Sequence, residues 1–284
     1  MSFFEIIAAL EMGMIYGIVA IAVYITFRII DFPDLTVDGC FVTGAACCAI
    51  ALKCSFNPFL ALSMAIVGGM FAGLVTGVLN IFFRIPSLLS GIITGFMLYS
   101  INLRIMGGIP NLSLFDELSI FDVGSTVIIL ISIALFIWLL LSYLLATNWG
   151  LALRVIGQNP KLAFNYGVRK NSMIIIGLVI SNALTALAGG LFCQSQGFAD
   201  ISVGNGTVII GLAAIILGEK VLPLKSVTIA LFACVMGSLL YRFIIALALR
   251  IDILGLTTSD LNLITGIIVI SIMCLSKTRR AILC

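Results

Sequence analysis

Long apolar segments recur along the whole chain and leave few choices for its fold. A transmembrane helix needs about 20 consecutive, mostly apolar residues. Hydrophobic residues make up 62% of the 284 and charged residues 10%, against about 45–50% and about 25% in soluble domains. The sequence therefore predicts an all-α polytopic membrane protein with about nine transmembrane helices. The predicted spans are residues 6–27, 35–52, 58–83, 87–106, 123–146, 172–193, 204–218, 226–248 and 260–276.

The composition argues against several other classes of protein. Histidine is absent, which removes Ser-His-Asp catalysis and imidazole metal sites. No pair of CxxC motifs is present, and no span contains a pair of carboxylates that would suggest an intramembrane enzyme. The net charge of +3 is too small to indicate a nucleic-acid partner. We therefore predict no catalytic residue, no metal site, no cofactor bound by this chain and no enzymatic activity of its own.

The placement of lysine and arginine predicts the orientation in the membrane. With the N-terminus outside and the C-terminus in the cytoplasm, 11 of the 15 basic residues lie on the cytoplasmic side and 4 outside. Cytoplasmic loops carry an excess of basic residues, so this orientation is favoured over its reverse. The four outside residues are Lys53, Arg104, Arg242 and Arg250.

A short motif occurs twice, 166 residues apart. Residues 32–37 read F-x-D-L-T-V and residues 198–203 read F-x-D-I-S-V. Five predicted spans separate the copies, so they have opposite orientations, which is typical of the inverted repeats of transporters. We predict one transmembrane domain, 1–284. Its parts are repeat one (1–122), repeat two (172–284), and between them span 123–146 and a cytoplasmic loop, 148–171.

In both copies the motif opens a short span interrupted by polar residues or glycine. Paired short or broken helices are the best pointer to a translocation pathway, and charged groups at membrane depth face protein or water. The alternative is helix capping, in which Asp34 or Asp200, with Thr36 or Ser202, caps the helix that follows. The two readings are compatible. The candidate pathway residues are Asp34, Thr36, Asp38, Asp200, Ser202 and Asn205.

The cytoplasmic loop contains the signals of one small helix. Asn159 is a suitable N-cap, Pro160 suits the first helical position and Gly167 the position after the C-cap, so a helix over about 160–166 is predicted. So short a helix cannot bury its own apolar side chains. They would fit either a groove on a soluble partner or the inner leaflet. The candidate coupling residues are Asn159, Pro160, Lys161, Leu162, Ala163, Phe164, Tyr166 and Gly167.

Four stretches resemble a known family. GLALRVIGQNP…YGV (150–168) and SNALTALAGGLFCQSQGFADISVGNGTVIIGLAAIILGE (181–219) resemble permease subunits of ABC importers of the branched-chain amino-acid and ribose group. YITFRIIDFPDLTVDG (24–39) and LYSINLRIMG (98–107) resemble a subgroup associated with tryptophan/tyrosine-type binding proteins.

The resemblance implies a bacterial cytoplasmic-membrane complex of several chains. Its other members would be a second permease copy, an extracytoplasmic substrate-binding protein and ATPase subunits that bind ATP and Mg²⁺. It also implies that 159–167 is the coupling helix, the segment that docks on the ATPase. The solute it implies is an amino acid, with aromatic amino acids among the candidates. The chain has no G-x-x-x-x-G-K-[ST] phosphate loop of its own. The alternative function is an ion- or proton-coupled secondary transporter that uses the intramembrane aspartates.

Overall fold

The computed structural model describes residues 3–114, 117–222 and 226–250, together with 266, 267 and 270. Helix α1 continues without a break into a π-helical turn, Ile25–Ile29. Two strands and a 3₁₀ turn, Ile120–Val123, lie between helices. Within these residues the elements are α1 (Phe3–Tyr24), α2 (Thr36–Lys53), α3 (Pro58–Ile81), α4 (Ser87–Ile105), β1 (Asn111–Ser113), α5 (Thr126–Ala146), α6 (Asn148–Gln158), α7 (Pro160–Asn165), α8 (Lys170–Gln196), β2 (Phe198–Asp200), α9 (Thr207–Val221) and α10 (Val227–Arg250).

The predicted fold class is confirmed, whereas the count of nine spans is not. In the described part of the chain, seven helices are long and apolar enough to cross a membrane. The predicted span 204–218 corresponds to α9, which begins at Thr207 and has only 15 residues. The predicted span 260–276 and the C-terminal basic residues lie outside the described residues, except for the helical positions 266, 267 and 270.

Two short segments differ from the prediction. Asn148–Gln158 was expected as loop but forms the helix α6, in which the Thr147 hydroxyl accepts from the amide of Gly150, and Leu153 and Ile156 are buried. Beyond the C-terminal ends of α4 and α8, β1 and β2 form an antiparallel pair, with Asn111 opposite Asp200. Each strand has only three residues, so apolar alternation had too little length to indicate it.

Among the described spans, the most apolar helix is the least buried, and one of the two least apolar helices is the most buried. Helix α5 is the most apolar span, with a mean hydropathy of 2.8, and only 22% of it is buried inside the protein. Helix α2 has a mean hydropathy of 1.4, and 72% of it is buried. Lipid accepts apolar side chains as readily as a protein interior does, so polar and small residues rather than leucines mark the helices at the centre.

Helices α2 and α8 form this centre and approach each other closely. A Cβ added at Gly44 would overlap the carbonyl oxygen of Ala186, and one added at Gly189 would overlap that of Phe41. Glycine at these positions lets the two backbones touch. The contact places the beginning of α2 beside the middle of α8. Asp34 is hydrogen-bonded to Asn182, and Asn182 lies 12 residues, or about 18 Å, from the start of α8.

Candidate functional site

A buried polar cluster holds the beginning of α2. Asp34 is fully buried; its Oδ1 accepts from the backbone amide of Thr36 at 2.9 Å and its Oδ2 accepts from Nδ2 of Asn182 at 2.8 Å. The hydroxyls of Thr36 and Thr76 lie 2.8 Å apart. A buried carboxylate requires donors in place of water, and here α2 and α8 supply them. Asp34 therefore holds the first amide of α2 from the position before the N-cap residue, Leu35.

The second motif forms the same local turn in a different setting. Oδ1 of Asp200 accepts from the backbone amide of Ser202 at 2.7 Å, as Asp34 does with Thr36. Asp200 ends β2, and its Oδ2 accepts from Nδ2 of Asn111 in β1 at 2.9 Å. Partial burial of Asp200 acts to raise its pKa, but the hydrogen bonds from Ser202 and Asn111 outweigh this and lower the pKa below its usual value. Asp200 therefore fastens a clip formed by β1 and β2 at the surface of the protein, here named the outer clip.

Asp200 does not cap α9, contrary to the capping interpretation, because six residues separate it from Thr207. The carboxylate at that position is Asp38, in the first turn of α2. Its Oδ1 accepts from the amide of Val208 at 2.8 Å and its Oδ2 from the amide of Gly206 at 3.2 Å. The first amides of a helix have no partner within the helix and attract negative charge. Helices α2 and α9 thus begin side by side, joined by one side chain.

A cavity of about 560 Å³ lies at this junction, between α2, α4 and the segment before α9. Of the six predicted pathway residues, Asp38 and Asn205 line it. Asp34 and Thr36 are fully buried and do not line it. Asp200 belongs to the outer clip with Ser202 and is likewise outside the lining. From each copy of the motif, the fourth residue (Leu35 and Ile201) and the polar residue that follows the motif therefore line the cavity.

Helix α4 supplies lining residues that the sequence prediction did not select. Gly95, Phe96, Tyr99 and Asn102 face the cavity. Gly95, Tyr99 and Asn102 are three to four residues apart, as on one helix face, and Phe96 lies beside Gly95; this periodicity was the available signal. Asn102 is fully buried and donates from Nδ2 to the carbonyl oxygen of Gly39 at 3.1 Å. Among the described residues, no group of three or more histidine, cysteine, aspartate or glutamate side chains could hold a metal ion.

The predicted small helix is present as α7, Pro160–Asn165. The side chain of Asn159 accepts from the amide of Leu162 at 3.1 Å, and Gly167, directly after the C-cap, has a φ of +73°. Ala163 is fully buried. Three large side chains project outward instead, with exposed fractions of 44% at Leu162, 79% at Phe164 and 78% at Tyr166.

Helix α6 connects α7 rigidly to the membrane helices. A Cβ added at Gly157 would overlap the carbonyl oxygen of Ile29, at the end of the π-helical turn that extends α1. Leu153 and Ile156 bury the apolar face of α6. A force applied to α7 would therefore reach α1 through backbone contact.

Comparisons with known proteins agree with this architecture. The family model described as the permease component of branched-chain amino acid transport systems matches residues 5–273. The tyrosine transport system permease protein of Clostridioides difficile (strain R20291) is 41% identical over 273 residues, covering 94% of this chain and 90% of that protein. The autoinducer 2 import system permease protein LsrC of Yersinia pseudotuberculosis (strain PB1/+) is 29% identical, covering 76% of this chain and 62% of that protein.

Among solved structures, PsaBC from Streptococcus pneumoniae, in complex with Fab, has a similar fold. The TM-score is 0.56 at 18% identity, over 93% of this chain and 89% of that one. The family model spans most of the chain, and the tyrosine transport permease is similar over nearly all of it. This chain therefore belongs to the family of permease components of branched-chain amino acid transport systems, the membrane-spanning subunits of ABC importers.

Proposed function

We propose that this permease forms, with a second copy of itself, the pathway by which an ATP-driven importer moves an amino acid into the cytoplasm. ATP and Mg²⁺ bind to separate ATPase subunits, and an extracytoplasmic binding protein delivers the solute. The chain itself performs no catalysis. The observation that carries the proposal is α7, a capped two-turn helix that turns large apolar side chains away from its own protein.

A soluble partner explains α7 better than the inner leaflet does. Leu162, Phe164 and Tyr166 are the exposed positions, whereas Ala163 packs inward. The helix is braced through α6 against the end of α1, so it is a rigid projection rather than a loose amphipathic segment. Short apolar helices of this kind fit grooves on partner proteins. We propose residues 159–167, with Lys161 on the outer surface, as the element that docks on the ATPase.

The same proposal sets the orientation in the bacterial cytoplasmic membrane. The N-terminus would be outside and the C-terminus cytoplasmic. Arg154, Lys161 and Arg169 then lie with α7 on the cytoplasmic side, as the excess of basic residues in inner loops requires. The clip of β1 and β2 would lie outside, where a binding protein arrives.

Helix α4 supports the presence of a second permease copy. Only 28% of α4 is buried inside the chain, yet its mean hydropathy is 1.4, half that of the similarly exposed α5. A surface exposed to lipid along its whole length would resemble α5. Phe96 and Tyr99 are 76% and 55% exposed next to the cavity, and a second α4 would face them across the pathway and complete its wall.

The relatives support an amino acid as the solute, although family members differ in what they carry. The relative from C. difficile is named for tyrosine transport, and LsrC for import of autoinducer 2. The cavity of about 560 Å³ has room for an amino acid. For the alternative, an ion-coupled transporter, Asp34 is a poor site for the coupling ion, because its own donors enclose it outside the cavity.

The test is to purify the tagged permease in mild detergent and identify the chains that accompany it by mass spectrometry. We expect an ATPase that carries a phosphate loop. In cells, Pro160→Gly should lower solute uptake at least about tenfold while membrane insertion and ATP hydrolysis persist. Recovery of the permease alone, with uptake that depends on a proton or sodium gradient, would refute the proposal in favour of secondary transport.

A further inference from the structure

The polar and aromatic side chains that line the cavity at the junction of α2, α4 and α9 all favour a positively charged ligand. A carboxylate, two side-chain amides and two aromatic rings face it, and none of the described residues that line it is a lysine or an arginine. Carboxylate and amide oxygens accept hydrogen bonds, and the faces of aromatic rings attract cations. Each of these features favours a positively charged donor inside the cavity.

The side-chain oxygen of Asn102 lacks a hydrogen-bond donor among the described residues. Its Nδ2 is used by the carbonyl oxygen of Gly39, but its Oδ1 has no hydrogen-bond partner among the described residues, and the side chain is completely buried. A buried acceptor without a donor destabilises the protein. Because the Asn102 side chain has no exposed surface, it must turn toward the cavity that it borders before a solute that carries a donor can satisfy this oxygen.

Asp38 supplies the second acceptor and is already held in place. Each of its oxygens accepts one amide from the beginning of α9, at 2.8 Å and 3.2 Å. A carboxylate has about four lone-pair sites, so about half of its accepting capacity is left. The side chain is only partly buried and lines the cavity. Its orientation is therefore fixed before any solute arrives, which reduces the entropy lost on binding.

We propose that this cavity binds solutes through a protonated amine, with Asp38 and Asn102 as the acceptors. The apolar or aromatic body of the solute would lie against Phe96 and Tyr99, whose rings are 76% and 55% exposed. This inference rests on the proposed transport function and adds to it a selectivity of the permease itself, independent of the binding protein. Solutes that have a carboxylate but no amine are excluded by repulsion from Asp38.

Two probes that differ in charge test the proposal. Tyramine has the ring and the amine, whereas 3-(4-hydroxyphenyl)propionate has the ring and a carboxylate. Binding of each radiolabelled probe is measured by equilibrium dialysis against the intact transporter in lipid nanodiscs, without binding protein, up to millimolar concentration. We expect tyramine to bind at least about tenfold more tightly, the factor that one charge-assisted hydrogen bond supplies.

Two variants then locate the site. Asp38→Asn removes the charge and keeps one acceptor for α9, and Asn102→Leu removes the unpartnered oxygen at similar volume. Each should weaken tyramine binding about tenfold. Asn102→Leu should leave propionate binding unaffected, whereas Asp38→Asn should strengthen it, because the repulsion from the Asp38 carboxylate is removed. Asp122→Asn is the matched control, because Asp122 is exposed in the outer 3₁₀ turn and bonds to the amide of Ser119.

Equal affinity for the two probes, no tyramine binding, or tyramine binding unchanged in both variants would each overturn the amine site. The comparison of probes on the unaltered protein does not depend on how any variant folds. Co-purification of the ATPase and uptake in cells are measured separately. Loss of amine selectivity with intact coupling therefore refutes this inference alone, whereas absence of an ATPase refutes the proposed function.

Discussion

Phe164→Ala should weaken the docking of the ATPase by a predictable amount. The Phe164 side chain is 79% exposed, and a phenylalanine buries about 150–250 Å² when it is enclosed. About 160 Å² therefore becomes available to a partner, which at about 25 cal/mol per Å² corresponds to about 4 kcal/mol. Interfaces realise only part of such area because ordering and desolvation oppose it. We expect a loss of about 2–3 kcal/mol, or about 30- to 150-fold in affinity.

The affinity of the ATPase subunit for the permease in nanodiscs would be measured by surface plasmon resonance. Alanine is a better helix former than phenylalanine, so α7 itself should persist. Phe83→Ala is the matched control, since Phe83 is 69% exposed after the end of α3 and lies outside α7. A change below about threefold, or an equal change in the control, would show that α7 is not the docking element.

Three further predictions concern the helix junctions and the outer clip. Asp38→Ala should lower the stability of the protein by about 1–3 kcal/mol for each amide at the start of α9 that it leaves without a partner, and Asp38→Asn should lower it clearly less. The two variants should therefore differ in thermal unfolding temperature, and equal unfolding temperatures would contradict the role of Asp38 as a cap. Gly189→Val should destabilise the protein by about 1–3 kcal/mol or more, because the new side chain overlaps the Phe41 carbonyl. Fluorescence-detected size exclusion should show less folded protein for this variant than for the control Gly124→Val, because nothing lies within 4 Å of a Cβ added at Gly124. The pKa of Asp200 in the folded protein is lowered, so its carboxylate stabilises the clip at any pH above its ordinary pKa of 3.8 and loses this effect as the pH falls through the lowered pKa. The difference in unfolding temperature between wild type and Asp200→Asn should therefore hold from neutral pH to about 3.8 and vanish below it. A difference that grows on acidification would contradict this prediction.

Local signals were sufficient to predict the helix α7. Asn159, Pro160 and Gly167 each act within one turn of α7, by capping an amide, presetting φ or adopting a positive φ. The structure reproduces all three. The prediction missed α6, although its signals are also local: Thr147 caps it, and the buried residues Gly150, Leu153 and Ile156 recur every three residues.

The cavity lining was predictable only in part. Asp38 and Asn205 were selected because they follow the repeated motif, and both line the cavity. Asp34 and Asp200 occupy equivalent positions in the motif and form the same turn, yet one is buried against α8 and the other holds the outer clip. Identical local geometry therefore has different roles, depending on which helices surround it.

The sequence by itself determined that the chain spans the membrane many times and where most of its helices lie. Partition of a segment into lipid depends on its own length and apolarity, as α5 shows with a mean hydropathy of 2.8. Only the tertiary structure decided that Asp38 caps α9, 168 to 170 residues away, and that Asn102 faces the same cavity. These relations depend on how helices rotate and approach one another, and glycine contacts between distant segments set that arrangement.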